Sequence, residues 1–443
     1  MRIAARTLNF PPQLTNNDHR VHDPWLKPAT VNSDSREGVY VARQPILNGA
    51  GQVFGYELLY RAGAEASTCV APTDLAASRV LNDAVLSLGL DNLTSGKRAF
   101  MNLSRTLLLS DYATLLPSKS VVLEVLETVE VDDMIVKAIR TLRGKGYSVA
   151  LDDFVLGTPA DVLLPYVNFV KVDVLSTTAA DRAAIRKAVP SPVTLLGEKV
   201  ESAEMFEELR QSGFHLFQGY FFCRPKMFTA GALSARRMAY AQLLTALNND
   251  NVTVSRVEDL IKHDASLSYR VLRCVNSAAY GIRRQIQSIR QAVVMLGLDQ
   301  VRKWASVWAL AGLNEGSSAE LVTVAILRAR SCELLAQTIM SREEAAEYFL
   351  LGLSSLLDVI LQKPMEEALD DLPLPDTIRG ALLGQQNRPR AILDAVITYE
   401  RGQWDEATRH VALANIPPES LPMAYADALK WARELTATSR LAA

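Results

Sequence analysis

The sequence predicts an α/β barrel of the (β/α)8 TIM-like type followed by an all-α helical domain, and two observations indicate this fold class. Between Gly38 and Pro225, eight short apolar runs alternate with helical stretches, and near-continuous apolar runs are typical of parallel strands that are buried on both faces. After Phe228, amphipathic helices follow one another without strands between them, which is typical of an all-α domain. We therefore predict an N-terminal tail at 1–37, a barrel domain at 38–227 and a helical domain at 228–443.

Each strand candidate is a short apolar run bounded by turn residues. The eight candidates span 39–43, 53–60, 98–104, 121–127, 147–153, 169–173, 193–200 and 216–222. Helical periodicity is found at 74–88, 131–143, 321–339, 343–361 and 421–436. Residues 1–36 are rich in Asn, Asp, Pro and Ser and show little periodicity, so we expect a flexible tail. Ser255 and Ser288 each have a Glu or Gln three residues further on, which is the spacing of a helix cap.

The composition excludes several classes of function. The 443-residue chain has a net charge of −2, so it lacks the bulk positive charge that attracts nucleic acid, and we expect no nucleic-acid partner. No apolar run is long enough to span a bilayer, and the start, MRIAARTLNF, has no signal-peptide core, so we expect no membrane segment. The four cysteines lie far apart without a CxxC pattern, so we expect reduced thiols in a cytoplasmic protein.

The stretch YSVALDDF ends an apolar run on two adjacent carboxylates, Asp152 and Asp153. In an α/β barrel the carboxyl ends of the strands meet at one mouth, where the chemistry lies. Polar residues lie near the ends of other strand candidates as well, namely Glu57, Asn102, Glu124, Glu127, Lys171, Asp173, Glu198, Glu201 and Gln218. Carboxylates at one mouth repel one another, and hard divalent cations such as Mg²⁺ or Mn²⁺ remove that repulsion. A helix cap or a solvated loop explains any one of these residues alone, whereas the whole set favours a metal site.

These residues, in this order, resemble the EAL domain of bacteria, a barrel that hydrolyses cyclic di-GMP with two metal ions, and the resemblance covers 38–226. Glu57 and Arg61, in ELLYR, match the glutamate that names the family and the arginine that follows it. The resemblance implies a two-metal site for Mg²⁺ or Mn²⁺ with the ligands Glu57, Asn102, Glu124, Asp152 and Asp153. It also implies catalytic roles for Glu57, Lys171 and Glu198, substrate contacts from Arg61 and Gln218, and a loop-supporting role for Glu127.

Two departures from the family pattern lie beside these residues. The family has glycine after the paired aspartates and the phenylalanine, whereas this chain has Val155, and a β-branched residue does not adopt the positive φ that glycine allows. Lys199, in the motif that the family writes EGVE, brings a cation beside Glu198, where it either replaces the charge of a metal or points outward. Because the ligand residues are present beside an altered loop, the sequence leaves open whether this domain is an enzyme.

The helical half contains the dipeptide His263-Asp264, which is typical of metal-dependent phosphohydrolases. Such a site needs further histidines, and His410 is the only other histidine after Phe228. We therefore expect Asp264 to cap the helix that follows it.

A longer stretch of the helical half, DASLSYRVLRCVNSAAYG followed by SIRQAVVMLGLDQVRKWA, resembles the HDOD domain, which implies a regulatory or protein-binding module. Its segment with Asn276, Ser277 and Tyr280 is either a binding loop or a junction between two helices. Trp304 and Trp308 lie four residues apart on one helix face, and this spacing favours core packing over a docking stripe.

Taken together, these patterns predict a bacterial signal-transduction protein. Its degenerate EAL domain would bind cyclic di-GMP with a divalent metal, and its HDOD domain would relay the signal to an unidentified protein partner. An active cyclic di-GMP phosphodiesterase that produces linear pGpG is one alternative, and a regulatory scaffold that binds no nucleotide is another. The EAL resemblance implies a homodimer, and the altered loop argues against it, so the oligomeric state stays open.

Overall fold

The computed structural model describes residues 39–62, 89–223, 240, 243–247, 252–262, 267–268, 271–272, 275–276, 286, 288–313, 319–370 and 374–440. The predicted tail, the predicted helix at 74–88, and His263, Asp264, Ser277 and Tyr280 lie outside the described residues. Of the described cysteines, Cys223 and Cys332 carry free thiols.

The first half of the chain is a closed barrel of eight strands in chain order, which confirms all eight predicted strands. The strands are β1 (Val39–Asn48), β2 (Val53–Ala62), β3 (Arg98–Leu103), β4 (Val121–Val125), β5 (Ser148–Leu151), β6 (Phe169–Asp173), β7 (Thr194–Glu198) and β8 (Leu216–Gln218). The helices among them are α1 (Leu90–Thr94), α2 (Arg105–Leu109), α3 (Asp133–Gly144), α4 (Ala179–Ala188) and α5 (Ala203–Gln211). Short 3-10 segments lie at Asp111–Leu115, Pro159–Tyr166 and Tyr220–Cys223.

β1 departs from the predicted (β/α)8 pattern, because it pairs antiparallel with both β2 and β8 while the other neighbours pair in parallel. Only residues 49–52 connect β1 to β2, and a connection this short allows an antiparallel hairpin but not a parallel crossover. β1 pairs with β8 only from Ile46 to Asn48, because β8 has three residues. The amino-terminal part of β1 therefore extends beyond the end of β8.

The second half of the chain is entirely helical in the part that the structure describes, as predicted. Its helices are α6 (Val254–Lys262), α7 (Ile289–Leu296), α8 (Leu298–Leu313), α9 (Ala319–Ala336), α10 (Arg342–Ser354), α11 (Leu357–Leu361), α12 (Met365–Ala368), α13 (Asp376–Leu382), α14 (Arg388–Glu400), α15 (Trp404–Leu413) and α16 (Ser420–Arg440). Trp304 and Trp308 are buried in α8, which confirms that they pack in the core. Within the described residues, no helix has both the length and the apolar character needed to cross a membrane.

Two local predictions in the helical half have different outcomes. The Ser288 hydroxyl accepts the backbone N–H of Gln291 and caps α7, as predicted. The predicted cap at Ser255 is wrong, because α6 begins at Val254 and the hydroxyl of Thr253 accepts the N–H of Arg256 in the first turn, at 3.3 Å.

Asn276 joins two segments of the helical half through its side chain. Its Oδ1 accepts the backbone N–H of Ile286 at 2.7 Å, and its Nδ2 donates to the carbonyl of the same residue at 2.8 Å. These paired bonds tie the Asn276 side chain to the backbone of Ile286. For Asn276 they therefore favour a structural role at a helix junction over a role in a binding loop.

The helical half covers the part of β1 that extends beyond β8. The buried hydroxyl of Tyr399, at the end of α14, accepts the backbone N–H of Val41 at 3.1 Å and donates to its carbonyl at 3.2 Å. An unpaired strand edge offers free donors and acceptors, and here one tyrosine hydroxyl satisfies both groups of a buried residue.

Aromatic packing strengthens the same contact between the two halves. The ring of Trp404 lies edge-on to Tyr40 of β1, with centroids 6.0 Å apart, and edge-on to Tyr399, with centroids 4.9 Å apart. Nearby, the hydroxyl of Tyr56 on β2 donates to the Glu320 carboxylate of α9 at 2.9 Å. The barrel and the helical half therefore share a buried interface.

We predict that Tyr399→Phe lowers the free energy of unfolding by about 1–3 kcal/mol, because it leaves the N–H and C=O of Val41 buried without a partner. Urea denaturation followed by circular dichroism measures the change. Tyr166→Phe is the matched control, since the Tyr166 hydroxyl bonds to no described residue, and its midpoint should equal that of the wild type. Equal midpoints for both variants would show that the Tyr399 hydroxyl does not stabilise the interface.

Candidate functional site

Two layers of inward-facing side chains fill the barrel. The lower layer is an apolar cluster of Ile46, Phe100, Val122, Ala150, Phe169, Leu196 and Leu216. On β2 the corresponding position is Gly55, where a Cβ would lie 3.1 Å from the Phe100 ring and 2.8 Å from the Arg98 carbonyl oxygen. Side chains two residues apart on a strand face the same side. The positions two residues away from this cluster, towards the mouth, therefore form the next inward-facing layer.

That next layer is polar on every strand. Two residues beyond the apolar positions, towards the mouth, it contains Gln44, Glu57, Asn102, Glu124, Asp152, Lys171, Glu198 and Gln218. The sequence predicted all of these except Gln44. Because β1 runs in the opposite direction, Gln44 precedes its apolar neighbour Ile46 and lies in the middle of a strand, where no strand-end signal marks it.

Lys171 is the centre of the polar layer, and its side chain is 1% exposed. Its ammonium lies 2.7 Å from Asp152 Oδ1, 2.9 Å from Glu124 Oε1, 3.1 Å from Glu198 Oε1 and 3.3 Å from Glu57 Oε2. One buried cation thus holds four carboxylates in place, and its attraction offsets part of the free energy lost when they leave water.

Two amides fix the Glu57 carboxylate from the other side. Asn102 Nδ2 donates to Glu57 Oε1 at 3.0 Å, and Gln218 Nε2 donates to Glu57 Oε2 at 2.7 Å. Gln218 Nε2 also donates to Gln44 Oε1 at 2.9 Å, so the hydrogen bonds continue from β2 through β8 to β1. The backbone of Asn102 is held as well, because its main-chain carbonyl oxygen accepts a hydrogen bond from the hydroxyl of Tyr60.

The carboxylates carry more negative charge than Lys171 offsets. Burial raises the pKa of Glu124 well above its usual range, because the nearby ammonium compensates only part of the lost hydration. Burial also raises the pKa of Glu198 to about 8. Burial acts on Glu57 in the same direction, but Lys171 and the two amides outweigh it and hold the Glu57 pKa below its usual value. An excess of buried carboxylate charge favours a bound cation.

The carboxylate oxygens form two groups with the spacing of metal ligands. Oxygens of Glu57, Glu124 and Asp152 lie within 4.8 Å of one another, and so do oxygens of Asp152, Asp153 and Glu198. Asp152 belongs to both groups, so it would be a ligand of a cation held by either group.

The residues present fit hard divalent cations such as Mg²⁺ or Mn²⁺, because every donor is an oxygen. Several buried oxygens accept no hydrogen bond from a described residue, among them Asn102 Oδ1, Glu124 Oε2, Asp153 Oδ1 and Glu198 Oε2. A buried acceptor without a partner costs free energy. Cations at the two groups would satisfy these oxygens.

The rim of the site contains a further ion pair. Lys199 Nζ lies 2.6 Å from Asp173 Oδ2 and 3.9 Å from Asp153 Oδ2, and about half of its side chain is exposed. Asp173, at the end of β6, was singled out in the sequence only as a strand-end carboxylate. Lys199 is therefore partly in solvent, and it binds one rim carboxylate and approaches a second.

The altered loop after Asp153 does not need a glycine at Val155. The positive φ angles lie instead at Asp153, with φ 70°, and at Gly157, with φ 90°. The Gly157 N–H donates to the Asp161 carboxylate, and Phe154 N–H donates to the Lys171 carbonyl at 2.9 Å. Asp161 is thus a loop-supporting residue that the sequence analysis missed.

The remaining predicted residues lie away from the polar layer. Arg61, near the mouth end of β2, forms an ion pair of 2.8 Å with Asp405 of α15, in the helical half. Glu127 is exposed in the turn after β4 and makes no hydrogen bond or ion pair with a described residue, so its loop-supporting role stays a prediction.

A closed eight-stranded barrel with this polar layer, joined to a helical domain, defines a class of two-domain proteins, and the comparisons with known proteins agree. The EAL domain model matches residues 30–225, and the HDOD domain model matches residues 236–372. The chain belongs to the EAL-domain family of cyclic di-GMP phosphodiesterase-like proteins, with an HDOD domain after the EAL domain. Residues 388–440, which contain α14 to α16, lie outside both matched ranges, and the domain boundary after residue 227 stays a prediction.

Two relatives match nearly the whole chain. The uncharacterised Bacillus subtilis (strain 168) protein YuxH is 35% identical over 407 residues, which cover 90% of this chain and 98% of YuxH. The Vibrio cholerae protein CdgJ, named a cyclic di-GMP phosphodiesterase, is 32% identical over 417 residues, which cover 93% of this chain and 96% of CdgJ. Among solved structures, a manganese and cyclic di-GMP complex of Klebsiella pneumoniae BlrP1 is 22% identical with a TM-score of 0.36, covering 46% of this chain and 62% of that chain.

We predict that Mn²⁺ raises the melting temperature of the wild type by several degrees, because a ligand that binds only the folded state stabilises it. Asp152→Asn should lose most of this increase, since Asp152 belongs to both carboxylate groups, whereas Asp153→Asn should keep part of it. Differential scanning fluorimetry with and without Mn²⁺ measures the shifts. Asp133→Asn, which changes an exposed residue of α3, is the control and should keep the full increase. A full increase in Asp152→Asn would exclude Asp152 as a ligand of the cations.

Proposed function

We propose that the barrel binds cyclic di-GMP with Mg²⁺ or Mn²⁺ and hydrolyses it to linear pGpG, and that the helical half regulates this activity. The observation that carries the proposal is the complete polar layer around Lys171, in which two carboxylate groups share Asp152. The whole-length similarity to CdgJ, a named cyclic di-GMP phosphodiesterase, supports the same activity. The loop geometry supports it as well, because Val155 stands where no positive φ is needed.

Five residues of the polar layer and of the loop beside it would bind the metal ions. Glu57, Asn102, Glu124, Asp152 and Asp153 would hold the cations, which would supply Lewis acidity at the phosphodiester group when bound.

Two further groups would act on water and on the ligands. Lys171 would keep the carboxylates in position and, with Glu198, would orient the attacking water. Gln218 would fix the orientation of Glu57 through its 2.7 Å hydrogen bond. Arg61 and Gln218 would contact the nucleotide.

A receptor that binds cyclic di-GMP without hydrolysing it is the second candidate, and one observation favours it. Lys199 Nζ lies 3.9 Å from Asp153 Oδ2, so a cation of the protein is already close to the second carboxylate group. A side-chain cation at this place competes with a metal ion for Asp153. In this case the helical half would report occupancy of the barrel to a protein partner, and its direct contact with β1 supports such coupling.

The test is incubation of the full chain with cyclic di-GMP and Mg²⁺ or Mn²⁺, followed by chromatography of the nucleotides. We expect linear pGpG from the wild type, and a rate at least about a hundred-fold lower for Glu57→Gln, because loss of a ligand should cost no less than loss of a residue that supports one. Glu130→Gln, which removes an exposed carboxylate after β4, should keep the wild-type rate.

The other outcomes separate the alternatives. Intact nucleotide that binds to the wild type, measured by calorimetry in the presence of either cation, would select the receptor. Absence of both turnover and binding would overturn the proposal and leave a regulatory scaffold. Turnover by Glu57→Gln at the wild-type rate would show that Glu57 is not a ligand.

A further inference from the structure

The turn between α14 and α15, residues 401–403, and the first two residues of α15 border the mouth of the barrel. Gly402 packs on Leu59 of β2, where an added Cβ would lie 2.8 Å from Leu59 Cδ1, and its φ of +71° is one that glycine adopts easily. Leu59 is two residues beyond Glu57 and therefore faces the same side of β2. The helical half thus forms a wall directly above the Glu57 side of the polar layer.

A chain of hydrogen bonds connects this turn to the polar layer. The carbonyl of Arg401 accepts Gln44 Nε2 at 3.3 Å, and Gln44 Oε1 accepts Gln218 Nε2 at 2.9 Å. Gln218 Nε2 also donates to Glu57 Oε2. Two side chains therefore separate the backbone of Arg401 from a candidate metal ligand.

The guanidinium of Arg401 is held at the rim of the mouth. It lies over the ring of Tyr220, 4.8 Å from the centroid, and Tyr220 is two residues beyond Gln218 of the polar layer. Arg401 is exposed, and among the described residues no carboxylate lies within ion-pair distance of its guanidinium. Stacking on an aromatic ring fixes the direction of an arginine while its donors stay available.

Two other cations at the rim, within the part of the chain that the structure describes, already have carboxylate partners. Arg61 pairs with Asp405, and Lys199 pairs with Asp173. The Asp405 side chain is 63% exposed, whereas that of Arg61 is 9% exposed. An ion pair with one partner in solvent contributes little to stability, so another anion can take the place of Asp405.

A cyclic dinucleotide carries a negative charge on each of its phosphodiester groups. Cations in the two carboxylate groups would largely be neutralised by their own ligands. A cation at the rim would meet the charge that the metal ions leave, and there Arg401 is available while Arg61 is occupied by Asp405.

We propose that the helical half completes the nucleotide site: Arg401 binds a phosphate of the cyclic dinucleotide, and Asp405 competes with the nucleotide for Arg61. This inference rests on the proposed binding of cyclic di-GMP by the barrel. The buried aromatic contacts of Tyr399 and Trp404 hold the turn in place while Asp405 is displaced. The helical half therefore contributes one residue that attracts the ligand, Arg401, and one that opposes its binding, Asp405.

The test measures the Kd of cyclic di-GMP for the full chain by calorimetry, with Ca²⁺ as the hard cation. We expect Arg401→Gln to weaken binding about ten-fold, as for loss of one charge-assisted contact, and Arg401→Lys to stay within about three-fold of the wild type. Arg409→Gln removes an exposed arginine of α15 whose nearest carboxylate, that of Glu406, is 3.6 Å away, and should leave Kd unchanged. Melting temperatures confirm that each variant is folded.

Asp405→Asn should change Kd in the opposite direction. It removes the carboxylate that competes for Arg61, so we expect binding about five-fold tighter than in the wild type, while the neighbouring Glu406→Gln should have no effect. Damage to the fold would weaken binding in both variants. Weaker binding by Arg401→Gln together with tighter binding by Asp405→Asn would therefore identify a direct action of these two residues on the ligand.

Each outcome decides between the two proposals. Wild-type Kd in both Arg401→Gln and Asp405→Asn would overturn the shared site while leaving binding by the barrel intact. Binding by Asp405→Asn but not by the wild type would support the competition in its strongest form. Absence of binding in the wild type and in Asp405→Asn would overturn the proposed function, and this inference with it.

Discussion

The buried ammonium of Lys171 is the interaction on which the site depends. Four carboxylates converge on it in the interior of the barrel. Without a cation among them, their mutual repulsion and their loss of hydration would prevent the barrel from folding around them. One ammonium is enough to hold the carboxylates together but not to balance them, as the raised pKa values of Glu124 and Glu198 indicate. The fold therefore gives up some stability to keep a carboxylate cluster that would bind further cations.

Most of the polar layer could be predicted because its residues follow the simplest rule of a strand. Glu124 and Asp152 each lie two residues after an apolar interior position, close to the end of a strand, and the sequence shows both features. Gln44 obeys the same alternation, but the direction of β1 had to be known before its place could be recognised. The eight strands were predictable, whereas the reversal of the first strand depends on a connection too short to cross over.

Contacts that depend on the tertiary fold could not be predicted from local patterns. Arg61 and Asp405 are 344 residues apart in the chain, and no spacing or periodicity relates them. The loop after Asp153 illustrates a different limit. The rule that valine avoids positive φ is sound, but the structure satisfies it by assigning those angles to Asp153 and Gly157. A substitution at a glycine of a family motif therefore does not by itself show that the loop has lost its shape.

Because β8 has three residues, part of β1 lacks a neighbouring strand on one edge, and a protein joined to this barrel has to cover that edge. A barrel domain released from the rest of the chain would present the amino-terminal edge of β1 to solvent, and such an edge is a template for pairing with other chains. Tyr399, contributed from the far end of the sequence, is the group that occupies it. In this chain the barrel and the helical half are therefore not independent units. A new fusion partner would prevent such pairing only if it brought its own cover for the same strand.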